Sequence, residues 1–231
     1  MKLTHETFLK WQKWIEPIKN DLINMFKYHN IFKSFSDKVS SNFEYIKNNE
    51  GVPFCYFVRD GYIMYSTTAI RRLIKINKDS ISLMGLLDEL KVAAEQFTRD
   101  FYFKQFPNQR RPGDSLSQFS NKRPDYFDEF SDNGENLSKS KIEMDMNTLK
   151  DNKYMVKIER YADKIVAHHD KRKLSENELP EYHELDDLIP IIDKIACKYI
   201  NFISSKGYQT LIPVLQFDPV SFLKFPVTDV N

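Results

Sequence analysis

The chain has 231 residues, with 34 Lys and Arg against 33 Asp and Glu, a formal net charge of +1. That length can bury one real core, and the near-neutral balance excludes a global field for nucleic acid or an anionic membrane, so either would need a local basic patch. No run approaches the ~18 consecutive apolar residues that cross a bilayer, and Lys2, His5, Glu6 and Lys10 interrupt anything resembling a signal peptide.

Cys55 and Cys197 are the only two cysteines and both lie in apolar helical patterns, so a reduced, cytoplasmic protein is expected. Six glycines, few alternating patterns and long three-to-four periodicities argue for an all-α fold with a bulky core, given 14% aromatic residues. The expected layout is one helical domain over 1–231, with a polar insertion at 107–143 and an extended tail at 208–231.

The first helical region runs from about Thr4 to Asn48, with Phe8, Trp11, Ile15, Ile18, Leu22, Met25 and Phe26 on one face and Thr4 as a plausible cap. Pro17 is expected to kink or restart it. A break near Tyr28 to Asn30 then separates a second amphipathic piece, Ile31 to Ile46, carrying Phe32, Phe35, Val39 and Phe43.

After the turn at Asn48 to Gly51, Pro53 suits the first turn of a long aromatic helix reaching about Ile76. Arg59, Arg71 and Arg72 sit in it among apolar neighbours, and any that is half-buried needs an anionic partner. Asp79 or Ser80 is expected to cap a single helix from Ser82 to about Phe106, along which Leu83, Leu87, Leu90, Ala94, Phe97 and Phe101 recur at four and three.

Pro107 opens the polar insertion, in which Phe119, Tyr126, Phe127 and Phe130 are candidate anchors and a short helix is possible around Asp125 to Phe130. Another helix is expected from near Asn147, and a last one from Glu184 to Ser205, with Pro190 in its first turn and Gly207 as its stop. Pro213, Pro219 and Pro226 then mark the tail as an extended strap.

Chemistry concentrates at Arg160 to Lys173, RYADKIVAHHDKRK. Tyr154, Ile158, Tyr161, Ile165 and His168 fall four, three, four and three residues apart and share a stripe, putting His168 at the wet end of an apolar seam. Packed histidine, with His169, Lys171, Arg172 and Lys173 complementing a helix C-terminus, is the plain structural reading.

Two segments together resemble the HEPN (higher eukaryotes and prokaryotes nucleotide-binding) domains, in the branch of the abortive-infection AbiU proteins. One is TTAIRRLIKINKDSISLMGLLDEL, residues 67–90, and the other is ADKIVAHHD, residues 162–170. The resemblance implies a helical bundle that pairs as a homodimer, with the two histidine-bearing helix ends near one composite cleft. It also implies metal-independent RNA cleavage without a cofactor: the 2′-hydroxyl attacks the adjacent phosphate, histidine moves a proton and arginine stabilises the phosphorane-like charge. A toxin or phage-defence setting, RNA and a cognate antitoxin or other defence protein as partners, and no membrane association complete that expectation.

The chain departs from the pattern at the arginine. Counting back from His168, the permitted positions hold Asp163, Ala162 and Tyr161, and Arg160 lies one residue too far; from His169 they hold Lys164, Asp163 and Ala162. Lys164, one turn before His168, can replace the cation only as a point charge. Arg71 or Arg72 is the other source, against the plain alternative that one pairs with Asp79, Asp88 or a carboxylate of the histidine-bearing helix.

The candidate catalytic residues are therefore His168, Lys164, Arg160, His169 and Asp170, the last fixing a histidine tautomer. Arg71, Arg72, Tyr161, Lys171 and Arg172 are candidate RNA contacts. Two readings stand beside each other: an RNase, or a non-catalytic HEPN-like dimerisation or partner-binding module, because the usual arginine position holds Ala162. A metal site at His168, His169, Asp170 and His183 is disfavoured, since successive helical residues point ~100° apart.

Overall fold

The computed structural model describes residues 2–77, 79–106, 126–163 and 183–225, and these form an all-α structure whose extended pairing is limited to two isolated bridges. Helix α1 (His5–Ser41) begins at Thr4, whose hydroxyl accepts from the Thr7 amide as the sequence suggested. It runs on for 37 residues. The helix does not restart at Pro17, which lies inside α1, and the polar stretch at Tyr28 to Asn30 continues the buried row, because His29 is itself buried between Met25 and Phe32. The chain breaks at Asn42, before α2 (Phe43–Asn48).

Helix α3 (Val52–Ile74) starts with Pro53 in its first turn, as expected. Ser82, rather than Asp79 or Ser80, caps α4 (Leu83–Ala93) by accepting from the Gly85 amide. The single helix expected to reach Phe106 is in fact divided: α4 tightens into a 3-10 turn at Ala94–Gln96, and α5 (Arg99–Gln105) restarts from a Thr98 cap. The cause is a tertiary partner, since the Phe97 carbonyl accepts from the Leu137 amide and the Arg99 amide donates to the Glu135 carbonyl. The hydrophobic stripe survives the break because Phe97 remains fully buried.

Helix α6 (Phe127–Phe130) is the short helix anticipated there. Helix α7 (Lys139–Lys150), capped by Ser138, begins inside the span expected to be a polar insertion, and Ile142, Met146 and Leu149 join the core. A second cap at Asn152 opens α8 (Lys153–Tyr161), six residues later than the start expected near Asn147.

Helix α9 (Glu184–Ser204) has Pro190 beyond its first turn, contrary to expectation, and ends on Ser205 with φ 52° rather than on Gly207.

Helix α1 packs along α9 and α3, α4 sits on α7 and α3, and α8 lies against α3 and α9. One aromatic cluster joins them: Trp11 stacks on Phe97 at 6.1 Å, Tyr102 stacks on Phe202 at 4.7 Å, and Phe8, Phe127 and Phe130 pack edgewise or tilted around these pairs.

The described part of the tail, 208–225, holds no helix, and buried polar groups fix its start. Asp193 accepts from the Leu211 amide at 2.8 Å and the Thr210 hydroxyl at 2.7 Å, while Asn201 exchanges two 2.8 Å hydrogen bonds with the Tyr208 backbone. Both cysteines are free, and no described helix is long and apolar enough to cross a membrane.

Candidate functional site

Two helix ends build the site. Helix α3 delivers Arg71 and Arg72 on consecutive positions, and consecutive helical side chains diverge by ~100°, so the pair separates. Arg71 reaches just past the end of α8, where its guanidinium lies 2.5 Å from Asp163, five residues before His168 in the sequence. Arg72 turns to α1 and pairs with Asp21 at 2.9 Å, its side chain 66% exposed. Both arginines of the pair therefore meet a carboxylate, Arg71 that of Asp163 and Arg72, from the exposed side, that of Asp21.

The buried row of α8 is Met155, Ile158 and Ala162, one position round from the stripe read in the sequence; Tyr154 and Tyr161 border it. The Tyr161 phenol is pushed upward by burial and then by the negative charge of Asp60, so it is a neutral hydroxyl beside α3 at ordinary pH. Arg160 is exposed on the opposite side of α8.

Ala162 occupies the place where the resembled motif takes arginine, and it is only 1% exposed. An arginine there would meet the core rather than a phosphate, so the buried alanine follows from packing. Lys164, His168, His169, Asp170, Lys171 and Arg172 lie outside the described residues, as do Pro107 and Phe119 in the insertion. Among the described residues no group of three His, Cys, Asp or Glu is arranged to hold a metal ion.

A polar network that the sequence reading missed ties three helices together. His29 of α1 lies 2.6 Å from the Tyr62 hydroxyl of α3 through Nδ1 and 3.0 Å from Asp186 of α9 through Nε2, and Lys33 adds a 2.9 Å contact to the same carboxylate. The tautomer that satisfies both partners donates Nε2–H to Asp186 and accepts the Tyr62 hydroxyl at Nδ1. Burial first, then the Asp186 charge, drives the Tyr62 phenol far above its ordinary range, so it acts as a hydroxyl donor. Burial works against ionisation of Asp186, but hydrogen bonds from His29 and Lys33 outweigh it and hold that carboxyl below its ordinary value. The missed signal was spacing: His29 stands three residues after Phe26 and three before Phe32, inside the buried row.

Beside this network, Phe32, Phe35, Phe54, Val58 and Leu223 line an apolar groove of about 300 Å³ between α1, α3 and the strap. No protein-family model matches the chain, and neither a curated protein nor a solved structure with significant similarity was found.

Proposed function

We propose that the chain is a HEPN-like, metal-independent endoribonuclease or RNA-binding effector, working as a homodimer with His168 as general acid or base and Arg71 as the phosphate-facing cation. A toxin or phage-defence role, with RNA and a cognate antitoxin as partners, follows from the same resemblance. The observation that carries the reading is the Arg71 to Asp163 contact at 2.5 Å, because it ties a guanidinium to a residue only five positions before His168 in the sequence.

A guanidinium offers a planar fork to phosphate oxygens, which Lys164 cannot. Asp163 is 62% exposed and holds Arg71 from the solvent side, so an entering phosphate competes for the guanidinium without unmaking the core. In this reading the 2′-hydroxyl oxygen attacks the adjacent phosphorus as its proton passes to a base, while the 5′-oxygen leaves and takes up a proton. His168 supplies one of these transfers near neutrality.

The experiment is cleavage of a labelled RNA mixture in EDTA by the native chain, His168→Ala and Arg71→Ala. Loss of cleavage in both variants, with dimer and helicity kept, is expected. Intact RNA with every protein, or unchanged cutting by His168→Ala, overturns the nuclease reading. The burial of Ala162 in place of arginine favours a second reading, a non-catalytic partner-binding module, which the first of those outcomes would support.

A further inference from the structure

Residues 208–225 are held in two ways that differ along their length. The start is fixed in the core: Leu211 is 5% exposed, and Asp193 of α9 accepts from its amide. From there the chain follows α1 toward α2. The Pro213 carbonyl accepts from Asn30, the Val220 carbonyl accepts from Lys38, and the Phe225 ring lies 5.9 Å from that of Tyr45. Between the first two of these points little restrains it. Val214 and Phe217 are 89% and 77% exposed. Among the described residues, the Asn30 contact at 3.2 Å is the one hydrogen bond that reaches residues 212–217 from a helix.

Beyond this slack stretch, residues 218–223 make a turn of their own. The Asp218 carboxylate accepts from the Val220 amide at 2.9 Å and its carbonyl from the Ser221 amide at 3.2 Å, while the Leu223 amide donates to the Val220 carbonyl at 3.0 Å. Pro219 suits the turn because its ring presets φ. Val220 is buried and Leu223 packs against the core, whereas Phe222 stays exposed. The turn thereby forms one wall of the groove of about 300 Å³, opposite Phe32 and Phe35 of α1 and Phe54 and Val58 of α3.

Because its hydrogen bonds are internal, the turn can leave α1 without undoing itself. Lys38 is what ties it down. The Lys38 ammonium donates to the Val220 carbonyl at 3.0 Å and lies 3.7 Å from the Asp218 carboxylate. Among the described residues, no second side chain from a helix hydrogen-bonds to residues 218–223.

We infer that residues 212–225 form a strap that opens as one unit, pivoting on the slack stretch and latched by Lys38, while residues 208–211 stay in place. Two apolar side chains and one charge-assisted latch hold the strap, so it belongs to the low-stability end of the molecule, where local opening precedes global unfolding. Opening removes one wall of the groove and bares the apolar surface that Val220 and Leu223 cover. The strap therefore controls access to Phe32 and Phe35.

The test is hydrogen exchange of the full chain, read by mass spectrometry across a series of low urea concentrations. It compares the native protein with Lys38→Met, Lys38→Arg and Asp218→Ala, and the apolar dye ANS is added to each in parallel. In the native protein, exchange of residues 212–225 should barely respond to urea, whereas the Leu211 amide should follow global unfolding. Lys38→Met keeps the side-chain stem and removes the donor, and losing a hydrogen bond to a charged group is worth about tenfold or more in an opening equilibrium. Exchange of 212–225 and dye fluorescence should rise together in Lys38→Met and Asp218→Ala, with the amides of α1 and α9 still protected, and Lys38→Arg should stay close to native. Exchange of 212–225 that needs the same urea as the whole chain overturns the local opening. Exchange that climbs steadily from 212 to 225 and ignores Lys38→Met is fraying from the end and overturns the latch. Faster exchange without added dye fluorescence overturns the strap as a cover for the groove.

Discussion

Tyr62→Phe isolates the polar network that joins α1, α3 and α9. The substitution removes one oxygen and keeps the ring, which stacks on Phe32 at 4.1 Å, so little packing changes. What is lost is a 2.6 Å hydrogen bond to His29, whose Nδ1 is left without that donor while the residue is 4% exposed. A lost neutral hydrogen bond costs about 1 kcal/mol and a stranded buried acceptor adds a further ~1 kcal/mol. The expected loss of about 2 kcal/mol corresponds to a Tm lower by ~4–8 °C in a chain of this length. Urea unfolding measures it, with the slope unchanged because the exposed area is the same. Combining His29→Leu with Tyr62→Phe should cost ~1 kcal/mol less than the two single losses together, as expected for residues in contact. A Tyr62→Phe loss below ~0.5 kcal/mol, or strict additivity in the double variant, refutes the claim that this hydroxyl is held by His29.

Further expectations concern the same helices. The Asp186 carboxyl titrates below its ordinary value of 3.8 in the folded chain, so the unfolded chain takes up that proton first as pH falls. Its contribution is therefore full above that value and is lost below it, and Asp186→Asn should flatten the acid limb of a stability–pH profile. Asp193→Ala strands the buried Leu211 amide and the Thr210 hydroxyl, an expected loss of ~3 kcal/mol, read by urea unfolding together with faster proteolysis between Tyr208 and Phe225. Ala162→Arg puts a cation at a position 1% exposed and should destabilise by ~3 kcal/mol or more, read by urea unfolding; an unchanged Tm would contradict the packing argument.

Periodicity made the helices legible, and tertiary partners decided where they end. The buried rows of α1, α4 and α9 follow from three-to-four spacing, and the Thr4 cap and Pro53 were readable from local chemistry. The division at Phe97 was not, because the pairing of Phe97 and Arg99 with residues 135–137 depends on a chain reversal some forty residues away. His29 was misread for a related reason: a polar residue inside a row signals a break unless its partners, Tyr62 and Asp186, are known. At the site, helical divergence sends Arg71 to Asp163 and Arg72 to Asp21. Composition made the 107–143 span look uniformly polar, yet Ile142 and Met146 repeat at four and begin a core helix inside it.

The chemistry of the cut ends tests the proposed function most directly. Attack by the 2′-hydroxyl predicts strands ending in a 2′,3′-cyclic phosphate and beginning with a 5′-hydroxyl, formed in EDTA, and no cutting of 2′-O-methylated RNA. Ends carrying a 5′-phosphate and a 3′-hydroxyl, cutting of the methylated strand, or no cutting of either RNA would contradict it.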